Sequence, residues 1–179
     1  TWSHFDPHAG AYRTLRSEDS ARMAGRLGIR AAEREPLCLD CHAENIPAAA
    51  RGPRFQFDDG VGCEACHGAS SGWIASHDDT PRVSHADNLA NGLVALERAD
   101  LRAPVCACHV GSADRHANHT LMAAGHPRLV FELDTYSELW RTAGGREHYR
   151  RDEDYRQRKT ESGSVTIWLT GLLESADRT

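Results

Sequence analysis

The 179-residue sequence predicts a mainly α-helical fold of short helices joined by long loops. Helix start and stop signals recur along the chain, whereas the alternating pattern of strands is almost absent. Only 40% of the residues are hydrophobic and 7% are aromatic, which is little material for a large apolar core. Eleven histidines and six cysteines suggest that disulfides, a metal or a macrocyclic cofactor stabilises the fold instead.

Two helix starts are visible near the N-terminus. Asp6-Pro7 has the pattern of an N-cap residue followed by proline at the first helical position, so a short helix is expected from about Pro7. Ser17-Glu18-Asp19 predicts a second start with acidic residues in the first turn, and Gly28 predicts the end of that helix. Residues 38–84 are rich in Gly, Pro and Asp, and mostly loop is expected there.

Further helices are expected in the second half of the chain. Leu89, Leu93 and Leu96 lie at helical spacing and predict a helix over about 88–101. A capped helix is predicted over 112–125, which would place His116 and His119 one turn apart. Charged helical patterns follow over 135–141 and 146–159, and an apolar helix face is expected over 165–173. No linker interrupts these elements, so a single domain over 1–179 is expected.

The overall composition restricts the class of partner. The formal net charge of −5 gives no support for binding to nucleic acid. No apolar run approaches the ~20 residues of a membrane-spanning helix, so no membrane span is expected. The chain starts at Thr1 without a basic and apolar leader, and we interpret it as a mature chain or as a fragment truncated before residue 1.

Two segments have the pattern Cys-x-x-Cys-His, which is typical of covalent haem c attachment. They are Cys38-Leu39-Asp40-Cys41-His42, the first motif, and Cys63-Glu64-Ala65-Cys66-His67, the second motif. Two thiols about one helical turn apart can each add to one vinyl group of the same porphyrin, and the adjacent histidine then binds the iron. The sequence therefore predicts haem c at both motifs, with His42 and His67 as iron ligands.

A third cluster, Cys106-Ala107-Cys108-His109, departs from this pattern because one residue, instead of two, separates its cysteines. The shorter bridge strains attachment to both vinyl groups, so a single thioether could form here. The Cys-His pair and the histidine-rich segment after it still predict a third haem, bound to the iron through His109. A structural pair of thiols is the alternative.

Two interpretations without haem remain open. Cys38, Cys41, Cys63 and Cys66 approximate the spacing of a four-cysteine zinc site. Zinc does not explain why a histidine follows each cysteine pair. Six cysteines could also form three disulfides, but pairs so close in sequence close almost no loop and stabilise little.

The other histidines are candidates for the sixth coordination position of each iron. Eight remain: His4, His8, His77, His85, His116, His119, His126 and His148. His8 and His119 lie on predicted helices, and His126 lies in Gly-His-Pro directly after a predicted helix end. These three are therefore favoured from the sequence pattern.

The chain resembles the multihaem cytochrome c family that includes the tetrahaem electron carrier of ammonia oxidisers. The matching stretches are Trp2 through His8-Ala9-Gly10-Ala11 to Leu15, the first motif, residues 57–68 with the second motif, and His77. Related multihaem oxidoreductases and carriers are similar over Cys108-His109-Val110-Gly111, His119, Gly125-His126-Pro127 and Phe131-Glu132-Leu133. Together these stretches cover roughly the first three-quarters of the chain.

The resemblance implies short helices and long loops wrapped around stacked haems. It implies axial histidines at the positions of His8 and His77, and it suggests His119 and His126 as further iron ligands. Members of the family usually carry another haem motif before the segment that resembles Trp2 to Leu15. Three haems are therefore expected, and a fourth if the chain is truncated at its N-terminus.

An electron carrier is the favoured function, since two axial histidines saturate an iron and prevent substrate binding. The alternatives are a haem enzyme with one open iron that acts on a small nitrogen or sulfur compound, and a haem-packed subunit of a larger redox complex or polymer. The expected partners are redox proteins or other cytochromes, with a homo-oligomer as a further option. Covalent haem attachment occurs outside the bacterial cytoplasm, so a periplasmic or otherwise extracytoplasmic location is expected.

Overall fold

The computed structural model describes residues 2–78, 83–96, 98–113 and 115–129, together with Leu169 and Leu173. All regular structure in these residues is helical, and none of them lies in a strand. The prediction of a mainly α fold with short helices is therefore confirmed. Within the same residues no helix is long and apolar enough to cross a membrane.

The described helices are mostly one or two turns long. The α-helices are α1 (Trp2–Phe5), α2 (Ala11–Thr14), α3 (Glu18–Leu27), α4 (Pro36–His42), α5 (Cys63–His67), α6 (Ile74–Asp78), α7 (His85–Ala90), α8 (Ala99–Val105), α9 (Ala107–Val110) and α10 (His119–Ala124). Single 3-10 turns lie at Pro7–Gly10, Ala32–Arg34, Ala48–Ala50, Phe57–Asp59 and Ser70–Gly72.

The chain divides into two compact units. Unit 1 contains Thr1–Ala65 and Gly111–Leu129, and unit 2 contains Cys66–Val110 and Val130–Thr179. The expectation of a single domain concerns the whole chain and stays a prediction.

Unit 1 starts with the two predicted caps. The Asp6 side chain accepts a hydrogen bond from the His8 N–H, but the helix it opens is the 3-10 turn Pro7–Gly10, which leads into α2. The Ser17 side chain accepts from the Ser20 N–H, and α3 ends at Gly28, whose φ of 68° is the left-handed conformation that glycine adopts without strain. Both predicted starts and the predicted stop are confirmed.

The core of unit 1 lies where the N-terminal helices meet α4. Its buried residues are Tyr12, Leu15, Ala24, Ala32, Leu39 and Ala43. Helix α10 packs against α3, because the Arg26 guanidinium donates to the Ala124 carbonyl oxygen at 3.0 Å and the Met23 side chain reaches Gly125. The segment after α10, which carries His126, is thereby held on the N-terminal helices.

Unit 2 is organised around Trp73, which is 2% exposed. The segment after α7 returns to the second motif, where the Val94 N–H donates to the His67 carbonyl oxygen at 3.0 Å. The Ser76 hydroxyl of α6 donates to the Asn88 side chain of α7 at 2.7 Å. These bonds hold α6 and α7 beside the end of α5.

Three predicted elements are corrected by the structure. Residues 38–84 contain α4, α5 and α6, which have five to seven residues each and are too short to show helical periodicity. Helix α7 ends at Ala90, before Gly92 with its φ of 100°, so Leu93 and Leu96 lie outside it. Helix α10 begins after the cap Asn118, so residues 112–118 precede it.

The remaining predicted helices lie outside the described residues. This applies to 135–141, to 146–159 and to most of 165–173. Leu169 and Leu173 are helical and exposed, at 48% and 67%.

Candidate haem sites

The first motif lies on α4, which starts with Pro36 at its first position and ends at His42. Cys38 and Cys41 are three residues apart on this helix, so both thiols lie on one face, one turn apart. Cys38 packs against the core of unit 1, and burial followed by the nearby Glu35 raises the pKa of its thiol. The arrangement provides the two neighbouring thiols that a two-vinyl porphyrin needs.

The His42 imidazole is held by the N-terminal helix α2. Its Nδ1 lies 3.2 Å from the Ala11 carbonyl oxygen and 3.0 Å from the Thr14 hydroxyl, which itself donates to the Ala11 oxygen at 2.7 Å. A carbonyl oxygen only accepts, so Nδ1 carries the proton and Nε2 carries the lone pair. Burial lowers the pKa of His42, which favours the neutral, metal-binding form.

The His126 ring lies next to the His42 ring, with 6.4 Å between the ring centroids and 78° between the ring planes. The His126 N–H donates to the Leu121 carbonyl oxygen at 3.0 Å, and the turn at Gly125 directs the chain back over unit 1. His126 Nδ1 lies 2.8 Å from the Pro127 carbonyl oxygen, so its Nε2 carries the lone pair as well. The charge of a protonated His126 would further lower the pKa of His42.

The second motif forms α5, where Cys63 and Cys66 again stand three residues apart. The Glu44 carboxylate accepts from the Ala65 N–H at 3.1 Å, which satisfies a backbone donor in the first turn of α5. Burial is the largest cause that raises the pKa of Glu44, while the backbone N–H of Ala65 acts in the opposite direction. Burial and then the Glu44 charge raise the pKa of the Cys63 thiol.

The His67 ring is oriented in the same way as the His42 ring, by a hydrogen bond from Nδ1 to a backbone carbonyl oxygen. Its Nδ1 lies 3.4 Å from the Val94 carbonyl oxygen, which can only accept, so Nε2 is the nitrogen with the lone pair. The Trp73 indole makes an edge contact with the His67 ring at 6.1 Å and with the His77 ring at 5.7 Å, measured between centroids.

The Trp73 Nε1–H tests whether these residues fit a haem. It is buried, and no acceptor among the described residues pairs with it. A buried donor without an acceptor costs about 1–3 kcal/mol. A haem carries propionate oxygens, which are acceptors of the kind that this donor lacks. The residues present therefore fit the group that the motif requires.

His8 lies beside the second motif within unit 1. Its Nδ1 is 2.8 Å from the Asp6 carboxylate, and its carbonyl oxygen accepts from the Val61 N–H at 3.1 Å. Asp6 is close enough to Cys63 to raise the pKa of that thiol. Gly60 makes this approach possible, because a Cβ there would lie 2.3 Å from the His8 oxygen.

The third cluster lies at the junction of α8 and α9. Cys106 ends α8, and Cys108 and His109 lie in α9. Burial raises the pKa of the Cys106 thiol to about 11, so it stays protonated at neutral pH. Whereas each of the two motifs lies on one helix, Cys106 lies in the turn between α8 and α9, and the cysteines of this cluster are two residues apart.

The four candidate axial histidines lie in different surroundings in the structure. His126 is brought to His42, His8 to the segment before Cys63, and His77 to Trp73. His119 is exposed at the first position of α10. Sequence reasoning missed the acceptors Ala11 and Val94, the Glu44 carboxylate and the buried Trp73. No local pattern marks these residues, since their partners lie 6 to 31 positions away.

Two findings bear on the disulfide and zinc alternatives to haem. None of the six cysteines, all of which lie in the described residues, forms a disulfide. No group of three or more His, Cys, Asp or Glu side chains in this part of the chain is placed to hold a metal ion. A four-cysteine zinc site needs such a group, whereas a haem iron takes at most two ligands from the protein.

Comparison with protein families finds one match, to the family described as cytochrome c554 and c-prime, over residues 1–68. It spans both motifs and His8, and it ends before His77 and the third cluster. Comparisons with curated proteins and with solved structures find no match. The match supports a c-type cytochrome that binds haem c and takes part in electron transfer, with redox proteins as partners. It covers 68 of the 179 residues.

Proposed function

We propose that the chain is a multihaem c-type cytochrome that transfers electrons between redox partners through closely spaced, mostly bis-histidine haems. Haem c is attached at the first and second motifs and at the third cluster, with His42, His67 and His109 as the proximal ligands. A fourth haem belongs to a longer chain if this sequence is truncated.

The geometry around His42 carries the proposal. A metal-bound imidazole nitrogen lies about 2 Å from its metal, so two imidazoles on opposite sides of one iron have ring centroids about 6 Å apart. The 6.4 Å between His42 and His126 agrees with this spacing. Rings in direct edge contact can have the same separation, which is why spectroscopy has to decide. Both rings direct Nδ1 to a carbonyl oxygen, and this leaves Nε2 of each for one iron.

Bis-histidine ligation favours an electron carrier over an enzyme. The chain supplies both axial ligands, so no position remains at which a substrate could bind, and the ligand set stays the same in both redox states. We expect midpoint potentials mostly below those of cytochromes with one histidine and one methionine ligand. Only Met23 and Met122, the two methionines of the chain, could supply a thioether ligand.

The other expected ligands complete the proposal. His8, His77 and His119 are the further candidates for axial ligands of the haem irons. The location is periplasmic or otherwise extracytoplasmic, where haem c is attached, and the partners are redox proteins or other cytochromes. A homo-oligomer or a larger redox complex is compatible with this function.

Optical and electron paramagnetic resonance spectra of the haem-loaded protein test the proposal. The pyridine haemochrome should give three haems per chain, and the oxidised protein should show low-spin bands. His126→Ala should convert one haem to a high-spin form that binds added imidazole. His116→Ala is the matched control, since this exposed residue precedes the same helix and should leave the spectrum unchanged.

Two results would contradict the proposal. A protein without covalent haem would exclude the cytochrome altogether. A high-spin, ligand-binding haem in the unaltered protein would instead favour the enzyme with an open iron.

A further inference from the structure

We propose that the third haem is held by a single thioether from Cys108, and that Cys106 remains a thiol in the mature protein. This inference rests on the proposed function, because it assumes that haem is present at the third cluster. It concerns which of the two thiols is used, and the geometry of the three helical segments bears on that question.

The first motif shows what attachment through two thiols requires. Successive residues on an α-helix are separated by about 100° around the helix axis. Cys41 therefore stands about 100° from His42, and Cys38 about 40° from it on the same side. The two thiols are about 60° apart and lie on one face beside the iron ligand. The second motif has the same spacing on α5, so the same relation holds for its cysteines and His67.

The third cluster changes the position of one cysteine only. Cys108 precedes His109 directly, as Cys41 precedes His42. Cys106 is three residues before His109 instead of four, which moves it about 60° to the other side of the histidine. On a continuous α-helix the two thiols would be about 160° apart around the axis, and residues two apart on a helix do not face each other.

The backbone at Cys106 is a turn, because α8 ends at Val105 and α9 begins at Ala107. Cys106 has φ −85° and ψ 6°. Its N–H donates to the Arg102 carbonyl oxygen at 3.2 Å, and its own carbonyl oxygen accepts from the His109 N–H at 2.9 Å. The second bond joins residues three apart, as in a 3-10 turn, where successive residues are separated by about 120° around the axis. The two thiols of the third cluster are then about 120° apart, about twice the angle in the two motifs, so one thiol is displaced from the face that the other presents.

The chemistry balances with one thiol. The Cys108 S–H adds across the C=C bond of one vinyl group, so an S–C bond forms and the hydrogen goes to the other vinyl carbon. No oxidant or further reactant is consumed. The second vinyl group of this haem stays unsaturated, and the Cys106 S–H is unchanged.

Peptide mapping of the haem-loaded protein tests this assignment. Cleavage after arginine yields one peptide for each site, namely 35–51, 55–82 and 103–115. The protein is denatured, reduced and alkylated with iodoacetamide before digestion. We expect peptides 35–51 and 55–82 to carry haem and no alkyl group. Peptide 103–115 should carry haem and one alkyl group, and fragmentation should place that group on Cys106.

Each other outcome has a distinct meaning. Haem on 103–115 without an alkyl group means two thioethers, and an alkyl group on Cys108 means that Cys106 is the attachment point. Two alkyl groups and no haem on 103–115 mean that the third cluster is a thiol pair. Each of these overturns the inference, while haem on the other two peptides still supports the cytochrome. Only a chain without haem on any peptide overturns the proposed function as well.

Two single substitutions provide an independent readout. Cys106→Ala should keep three covalent haems per chain, whereas Cys108→Ala should keep two, with the loss confined to peptide 103–115. Equal haem loss in the two variants would contradict the assignment. If Cys108→Ala does not fold, the alkylation map of the unaltered protein still decides the question.

Discussion

The first motif and the third cluster both place two cysteines before a histidine, but their backbones differ. The first motif lies on one continuous helix, α4, whereas the third cluster has a turn at Cys106 between α8 and α9. At the first motif, segments remote in sequence also meet: α2 supplies an acceptor for His42 Nδ1, and the turn after α10 supplies the neighbouring ring of His126. The cysteine spacing is thus a local feature, whereas the orientation of the His42 ring depends on the tertiary fold.

The largest effect is expected when both thiols of one site are removed at a time. Cys38→Ala with Cys41→Ala should remove one haem and reduce the free energy of unfolding by about 2 kcal/mol or more, because Cys38 packs against the core of unit 1. Cys106→Ala with Cys108→Ala should remove one haem at a smaller cost. The ratio of haem to protein and denaturant unfolding measure both effects. Equal losses of stability would show that the two sites support the fold alike.

A smaller effect is expected at the turn that positions His126. Gly125 has a φ of 116°, and a Cβ there would lie 3.2 Å from the Arg26 guanidinium. Gly125→Ala should destabilise unit 1 by about 1–2 kcal/mol and raise the high-spin fraction of one haem. Gly25→Ala on α3 is the matched control, since its Cβ meets nothing within 4 Å. That variant should be as stable as the original or gain up to about 1 kcal/mol. If the haems of the Gly125→Ala variant all stayed low-spin, the turn at Gly125 would not be needed to position an iron ligand.

The smallest effect concerns Glu44, which links the two motifs within unit 1. Glu44→Ala should cost about 1 kcal/mol, because an amide in the first turn of α5 loses its acceptor. The folded-state pKa of Glu44 lies above the ordinary value of 4.5, so folding favours the protonated form. This contribution is complete below about pH 4.5 and is lost as the pH rises through the folded-state pKa.

Glu44→Gln distinguishes the contribution of the hydrogen bond to Ala65 from that of the ionisation of Glu44. It keeps an acceptor for the Ala65 N–H but cannot ionise, so its stability relative to the original protein should rise between pH 4 and pH 7. Denaturant unfolding at several pH values measures this difference. A constant difference across that range would show that Glu44 is not the titrating group.

Features that depend on a few neighbouring residues can be predicted from the sequence. The caps Asp6 and Ser17, the stop at Gly28 and the cysteine spacings each depend on a few consecutive residues. The start of α10 was misplaced because Ser112 and Asn118 are both good N-cap residues, and only the tertiary packing of α10 on α3 selects between them. His126 was identified as a candidate ligand from its place after a helix end. Its pairing with His42 was not predicted, because it depends on how α10 docks.

The contact between Glu44 and Gly60 has a consequence for how the length of this chain can vary. The Glu44 N–H donates to the Gly60 carbonyl oxygen at 3.1 Å, so residues 45–59 form a loop whose two ends are bonded to each other. This excursion is packed internally, with the Arg51 guanidinium 4.8 Å from the rings of Phe55 and Phe57. Because its ends are tied, doubling its length would cost only about 0.6 kcal/mol of closure entropy. Insertions near the middle of this loop would therefore leave the contact between Glu44 and Gly60 unaltered, and the Glu44 carboxylate would still accept from the Ala65 N–H at the start of α5.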